Sequence, residues 1–260
     1  MFSPLAGRTY IVTGGASGIG LATVRKLLNL SATVHIIDKA QDVPEITAGS
    51  GKVHVYPDID VSSRRAVANT FKTITDRTST VNGLVNAAGV SPSGNYDIEG
   101  EGYAIEKDDT YARVMDINVD GTWNATNELL RHTLARNRPE GDTVSIVNIG
   151  SLASLRGYQT MAAYCASKHA VLGMTRTWGL EYAAQGIRVN LIAPGLIKTP
   201  LGMKAVETAD GRGEVAKAYA SVAPMKRLGR PEEVAGPIVF LLSDEASYIT
   251  GEAISVSGGA

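Results

Sequence analysis

Tyr164 and Lys168, in the run Tyr164-Cys165-Ala166-Ser167-Lys168, lie four residues apart, and Ser151 stands thirteen residues upstream. On a helix that spacing puts the phenol and the ammonium on one face. A phenol titrates near ~10 in water and is a poor base at neutral pH, but a neighbouring cation favours the phenolate. The pair therefore suits proton transfer. The same spacing also occurs on ordinary helix surfaces, with a half-exposed tyrosine beside a solvated lysine, so other residues must decide between the two readings.

Near the amino end stands Thr13-Gly14-Gly15-Ala16-Ser17-Gly18-Ile19-Gly20, between an apolar run and the helical pattern opening at Leu21. Strand, glycines and helix in that order let a pyrophosphate approach free N–H groups at a helix amino terminus. Eighteen residues beyond Gly20, Asp38 closes a second apolar run. A carboxylate there accepts from the adenosine ribose hydroxyls and repels a 2′-phosphate, which favours NAD over NADP, although the adjacent Lys39 would tolerate the extra phosphate. The plain alternative is an ordinary strand-to-helix turn.

The elements that must position these residues are legible as an alternation. Short β-branched runs at 9–12, 33–37, 53–56, 83–86, 144–148, 188–192 and 253–256 predict seven strands. Helical patterns at 19–30, 63–75, 108–136, 163–185 and 231–242 lie between them, the last opening on Pro231-Glu232-Glu233. The expected fold is one α/β domain over 1–260, a Rossmann-type doubly wound parallel sheet with helices on both faces. Two stretches break the alternation. Residues 91–107 are rich in Gly, Ser and acids, and 196–224, centred on Thr208-Ala209-Asp210-Gly211-Arg212-Gly213, reads as a mobile substrate loop.

Bulk properties exclude several function classes. A formal charge of −1 without like-charge blocks argues against nucleic acid or an anionic membrane as partner. Cys165 is the single cysteine, so neither an intrachain disulfide nor a cysteine metal site is available. His35, His54, His132 and His169 form no metal-ligand spacing, and no metal is expected. The start Met1-Phe2-Ser3-Pro4-Leu5 leaves no room for a targeting segment and no apolar run is long enough to span a membrane, so the cytoplasm is expected.

With these residues in order, the chain resembles the short-chain dehydrogenase/reductases from Gly7 to Gly259. The resemblance rests on the 13–20 turn, Asp60-Val61, Asn86-Ala87-Ala88-Gly89, Asn118 within Ile117-Asn118-Val119, Ser151, the Tyr164/Lys168 pair and Pro194-Gly195-Leu196-Ile197-Lys198-Thr199-Pro200. It implies NAD(P)-dependent interconversion of a secondary alcohol and a ketone. Asp60 and Val61 would hold the adenine, Asn86 to Gly89 would run along the cofactor, and Pro194, Gly195, Ile197 and Thr199 would grip the nicotinamide carboxamide. Tyr164 would be the acid/base and Ser151 would hold the substrate oxygen. Lys168 would anchor the ribose and lower the Tyr164 pKa, and the Asn118 carbonyl would hold a water linking Lys168 to solvent. Simpler roles stay open: a strand-end acid at Asp60, a helix cap at Thr199, an asparagine satisfied between helices at Asn118.

Leu152, Ala153, Ser154, Tyr158, Met161, Leu196, Leu201 and Met203 are expected to wall an apolar substrate pocket, with Arg156 able to pair with an anion and the acids of 91–107 forming a rim. The carboxyl-terminal portion resembles family members that assemble as homotetramers. A cofactor-binding scaffold and a non-redox enzyme on the same fold are the rival readings.

Overall fold

The computed structural model describes residues 5–46, 49–92, 96–99, 103–139, 141–203, 221 and 223–260. The central sheet contains β1 (Thr9–Thr13), β2 (Thr33–Ile37), β3 (Lys52–Tyr56), β4 (Gly83–Asn86), β7 (Val144–Ile149), β8 (Ile187–Pro194) and β9 (Ala253–Val256). Their order is β3-β2-β1-β4-β7-β8-β9, and every pair is parallel. The crossovers are α1 (Gly18–Asn29), α2 (Arg64–Arg77), α3 (Asp108–Met115), α4 (Gly121–Leu134), α5 (Ala162–Glu181) and α6 (Pro231–Leu242). All seven expected strands and this doubly wound arrangement are present.

Successive side chains of a strand leave opposite faces, and β1 shows the consequence. Tyr10 and Val12 pack with Val24, Leu27 and Ile238 of α1 and α6, whereas Ile11 packs with Phe71, Leu129 and Trp178 of α2, α4 and α5. Both faces are covered, so β1, β4 and β8 are buried along their whole length. That is why these strands read as apolar runs rather than alternating ones. The start of α6 is as expected: Pro231 opens it, Glu232 and Glu233 fill its first turn, and Glu233 accepts from the Arg230 N–H at 2.8 Å. Among the described residues no helix is long and apolar enough to cross a membrane.

Two expectations are corrected. The helix expected over 108–136 is interrupted by a π-helical turn at Asp116–Asp120, which contains Asn118, and it ends at Leu134. The irregular stretch 91–107 holds an antiparallel hairpin, β5 (Tyr96–Glu99) with β6 (Tyr103–Glu106), closed at its base by the Tyr96↔Glu106 pairing. Most of the expected substrate loop, 204–220 and 222, lies outside the described residues.

His35 of β2 is a satisfied buried histidine. Its ring stacks on His54 at 4.8 Å and on Tyr56 at 5.8 Å, and its Nδ1 is 3.1 Å from the Tyr56 hydroxyl. Burial, reinforced by His54 and Arg77, lowers its pKa to about 4. Between the ordinary histidine value of 6.5 and about 4 the unfolded chain therefore binds the extra proton, and stability falls as pH falls through that window. Thermal unfolding from pH 7 to 4.5 is expected to show a falling Tm whose slope is shallower in His35→Phe. An unchanged slope would remove His35 as the cause; His132, also lowered by burial, contributes with the same sign in both proteins.

Candidate active site

A cleft of about 960 Å³ opens at the carboxyl ends of β1, β4, β7 and β8. It lies where the chain leaves β1 toward β2 on one side and the sheet continues through β4 on the other, the switch point at which open α/β sheets bind ligands. Gly14, at φ +67°, follows β1, and a Cβ there would stand 2.6 Å from the Ala88 amide nitrogen. At Gly20 a Cβ would stand 2.1 Å from the Gly14 carbonyl oxygen. The turn and the start of α1 are thus closed on each other by backbone contact that any side chain would separate. Ser17 precedes α1 in an extended conformation without a side-chain cap, so the helix presents its free amino-terminal donors. Gly14, Ser17, Gly18, Ile19 and Gly20 all line the cleft, and these residues fit the diphosphate of a dinucleotide.

After β2, Asp38 is held by two backbone donors, the Ala16 N–H to one oxygen and the Ala40 N–H to the other, both at 2.9 Å. Lys39 turns to Asp60, with its Nζ 2.6 Å from the carboxylate. Ser62 donates to the other Asp60 oxygen from its backbone N–H at 3.0 Å and its hydroxyl at 2.7 Å. Burial pushes the Asp60 pKa up, but Lys39 and Ser62 outweigh it and hold the group at about 2. Asp60, Val61, Ala87, Ala88 and Gly89 line the cleft. Asn86 does not. It ends β4 with its side chain inside the protein, donating to Thr126 Oγ1 at 2.9 Å and to Asn148 Oδ1 at 2.8 Å, so its contribution is to join the strand to α4 and β7.

At the other end of the cleft the chemistry-bearing residues converge. Ser151 follows β7 and caps the short turn Leu152–Ser154: its hydroxyl accepts from the Ala153 N–H at 3.1 Å, while Ser154 accepts from the Ser151 N–H at 3.2 Å. Tyr164 occupies the first turn of α5 and Lys168 the next, with Nζ 5.6 Å from the tyrosine ring centre. Lys168 is buried, donates to the Ile149 carbonyl at 2.9 Å, and has its pKa lowered by burial to about 8. Burial raises the Tyr164 pKa, a hydrogen bond with Ser151 opposes that rise, and Cys165 adds to it. Burial is the largest influence on the phenol, and the Lys168 ammonium stands over the Tyr164 ring.

Asn118 is buried behind these residues. Its Oδ1 accepts from the Val90 N–H at 2.8 Å, and its Nδ2 donates to the Val90 carbonyl at 2.9 Å and to Ser167 Oγ at 3.0 Å. Ser167 in turn donates to the Tyr164 carbonyl at 2.8 Å, so Asn118 ties the β4 loop to the turn of α5 that bears Tyr164. The Asn118 carbonyl, expected to hold a water, accepts from Thr122 Oγ1 at 2.7 Å. Pro194, Gly195, Ile197 and Thr199 line the cleft, and Thr199 also caps the turn that follows, accepting from the Gly202 N–H at 3.0 Å.

Of the expected substrate wall, Leu152, Ala153, Tyr158, Met161, Leu196 and Leu201 line the cleft. Ser154 and Met203 do not; Ser154 is consumed by the cap on Ser151. Arg156 donates to the Tyr158 hydroxyl at 2.9 Å with its guanidinium over that ring. Sequence reasoning missed Pro92 and Arg113 as lining residues. An arginine five residues before Asn118 reads as a solvated helix charge, and nothing in its spacing points to the cleft.

Comparison with known proteins supports the same conclusion. The family described as enoyl-(acyl carrier protein) reductase matches residues 14–260. The chain is 34% identical over 265 residues to 2-(S)-hydroxypropyl-CoM dehydrogenase 3 of Xanthobacter autotrophicus, covering 100% of this chain and 98% of that protein. It is 36% identical over 261 residues to short-chain dehydrogenase/reductase ABA4 of Pyricularia oryzae, covering 98% and 92%. The structure of ElxO with NADP bound superposes with a TM-score of 0.83 at 28% identity, covering 97% of this chain and 98% of that one. Fold, cleft and relatives agree: the chain belongs to the short-chain dehydrogenase/reductase family, as an NAD(P)-dependent oxidoreductase that interconverts an alcohol and a ketone.

Proposed function

We propose that Tyr164 is the general acid/base, that Ser151 holds the reacting oxygen, and that Lys168 binds the nicotinamide ribose and stabilises negative charge on the phenol. The observation that carries this reading is that all three side chains line one cleft, with Ser151 in hydrogen-bonding reach of the Tyr164 phenol and Lys168 Nζ 5.6 Å from the centre of its ring. The bound nicotinamide supplies the hydride acceptor or donor. In reduction the Tyr164 hydroxyl gives its proton to the oxygen as the ketone becomes an alcohol; in oxidation the phenolate takes that proton back. Ser151 donates to the same oxygen and stabilises charge developing there. Asn118 acts by holding the β4 loop against the turn that bears Tyr164.

NAD is the preferred cofactor in this reading. The Asp38 carboxylate is fixed by two backbone donors where a 2′-phosphate would approach, and Lys39 is paired with Asp60 rather than free to receive that phosphate. The apolar residues Leu152, Met161, Leu196 and Leu201 favour a hydrophobic or cyclic secondary alcohol or ketone. A single folding domain, a cytoplasmic setting and a homotetramer complete the proposal. Support for assembly comes from β9, an edge strand of the sheet, and from the fully exposed Tyr248 just before it.

The test is absorbance at 340 nm with purified protein, each dinucleotide in turn, and a panel of secondary alcohols and ketones. Turnover is expected with kcat/KM at least about tenfold higher for NAD than for NADP, the size of one uncompensated charge repulsion. Equal or better use of NADP would overturn the cofactor preference. Tight dinucleotide binding without turnover on any substrate would favour the scaffold reading.

A further inference from the structure

We propose that Glu106 is a positioning residue for the catalytic helix: from the base of the β5–β6 hairpin, its carboxylate holds the first turn of α5 and thereby the placement of Tyr164. The proposal rests on the acid/base reading of Tyr164. A helix leaves its first N–H groups without intrahelical partners, and a side-chain acceptor is the usual remedy. Helix α5 has none of its own. Met161 precedes it without a side-chain cap, and its first turn contains no acid. The acceptor comes instead from a distant part of the chain: Glu106 Oε2 receives the Ala163 N–H at 2.8 Å, one residue before Tyr164.

The setting shows a built contact rather than a passing one. Glu106 is the last residue of β6, its backbone register is set by Tyr96, and the neighbouring Lys107 pairs with Asp97 across the hairpin at 3.2 Å. Its Oε1 is buried with no hydrogen-bond partner among the described residues. Burying a carboxylate oxygen in that way is unfavourable, and the positive end of the α5 dipole, which the other oxygen caps, is the feature on hand that offsets it. Directly after Glu106 the chain enters α3, which packs on α5, so the cap and this packing restrain the same helix.

The consequence is a division of labour at Tyr164. Asn118, through Ser167, holds the turn by the Tyr164 carbonyl, and Glu106 holds it by the Ala163 amide. Losing the second restraint lets the first turn fray and moves the phenol relative to Ser151, and small misplacements of a reacting group are costly in rate. The dinucleotide turn at Gly14 to Gly20 lies on β1 and α1 and is untouched by the change.

The test uses the full chain with Glu106→Ala and Glu106→Gln, measuring kcat, dinucleotide Kd, Tm and hydrogen exchange of the first turn of α5. In Glu106→Ala, kcat is expected to fall about tenfold, as for loss of one cap, while dinucleotide Kd stays within about twofold and the first turn exchanges faster. Glu106→Gln keeps an acceptor oxygen and is expected to restore both protection and most of the rate. Wild-type exchange in Glu106→Ala overturns the proposal, and so does an equal loss in both variants accompanied by weakened dinucleotide binding and a lowered Tm. If Tyr164→Phe kept its turnover, the acid/base reading would fail while the exchange contrast still tested Glu106.

Discussion

Tyr164→Phe is expected to lower kcat by about 1000-fold in both directions while the dinucleotide Kd changes by less than about threefold. The ring stays and the proton is lost, and removal of a positioned acid/base costs roughly that much. The phenol is the part of the residue that meets Ser151, whereas the helix around it is held through the Ala163 amide and the Tyr164 carbonyl, which phenylalanine preserves. Because burial raises the Tyr164 pKa, the residue is protonated at neutral pH and ready to act as the acid in ketone reduction. Alcohol oxidation needs the phenolate, so its rate is expected to climb with pH above neutrality in the wild type, and this dependence is expected to vanish from the residual rate of Tyr164→Phe. Stopped-flow absorbance at 340 nm from pH 6 to 10 reads both outcomes. Near wild-type turnover in the variant would show that another group moves the proton.

Lys168→Met is expected to damage binding and turnover together, lowering kcat/KM by about 1000-fold or more and raising the dinucleotide Kd by at least about tenfold. Methionine fills much of the same volume but removes the ammonium and leaves the Ile149 carbonyl without its 2.9 Å donor. Burial brings the Lys168 pKa down to about 8, so at pH 7 most of the population is charged and that charge is lost as pH rises through about 8. Wild-type dinucleotide affinity is accordingly expected to weaken on the alkaline side of 8, and affinity in Lys168→Met to be flat there. Titration by the change in protein fluorescence separates the cases. A Kd unchanged by the substitution would mean that the lysine does not touch the cofactor.

The extent to which fold and site were legible in the sequence follows from the range of the interactions involved. The inner strands of the sheet were visible because burial on both faces makes a strand apolar throughout, the edge strands β3 and β9 because β-branched residues cluster in them, and the turn at 13–20 because its glycines answer a local backbone demand. The hairpin at 96–106 was hidden by polar residues whose pairing is cross-strand, and the widened turn at Asn118 by a helical periodicity that a single extra residue scarcely disturbs. Asn86 does not line the cleft, whereas its neighbours Ala87 to Gly89 do. Which way the last side chain of β4 points depends on its register in the sheet, and that side chain is drawn to Thr126 and Asn148, each far away in the chain.

By itself the sequence determined the doubly wound sheet and the strand–glycine–helix turn at 13–20, and the family resemblance it carries nominated Asn118, Ser151, Tyr164 and Lys168, because a strand or a glycine turn is a local pattern. Only the tertiary structure decided how those groups are tuned and held. Lys39 is paired with Asp60, burial raises the Tyr164 pKa, and the first turn of α5 receives a carboxylate from Glu106 in another part of the fold. Burial and long-range hydrogen bonds are properties of packed surfaces, and no spacing along the chain encodes them.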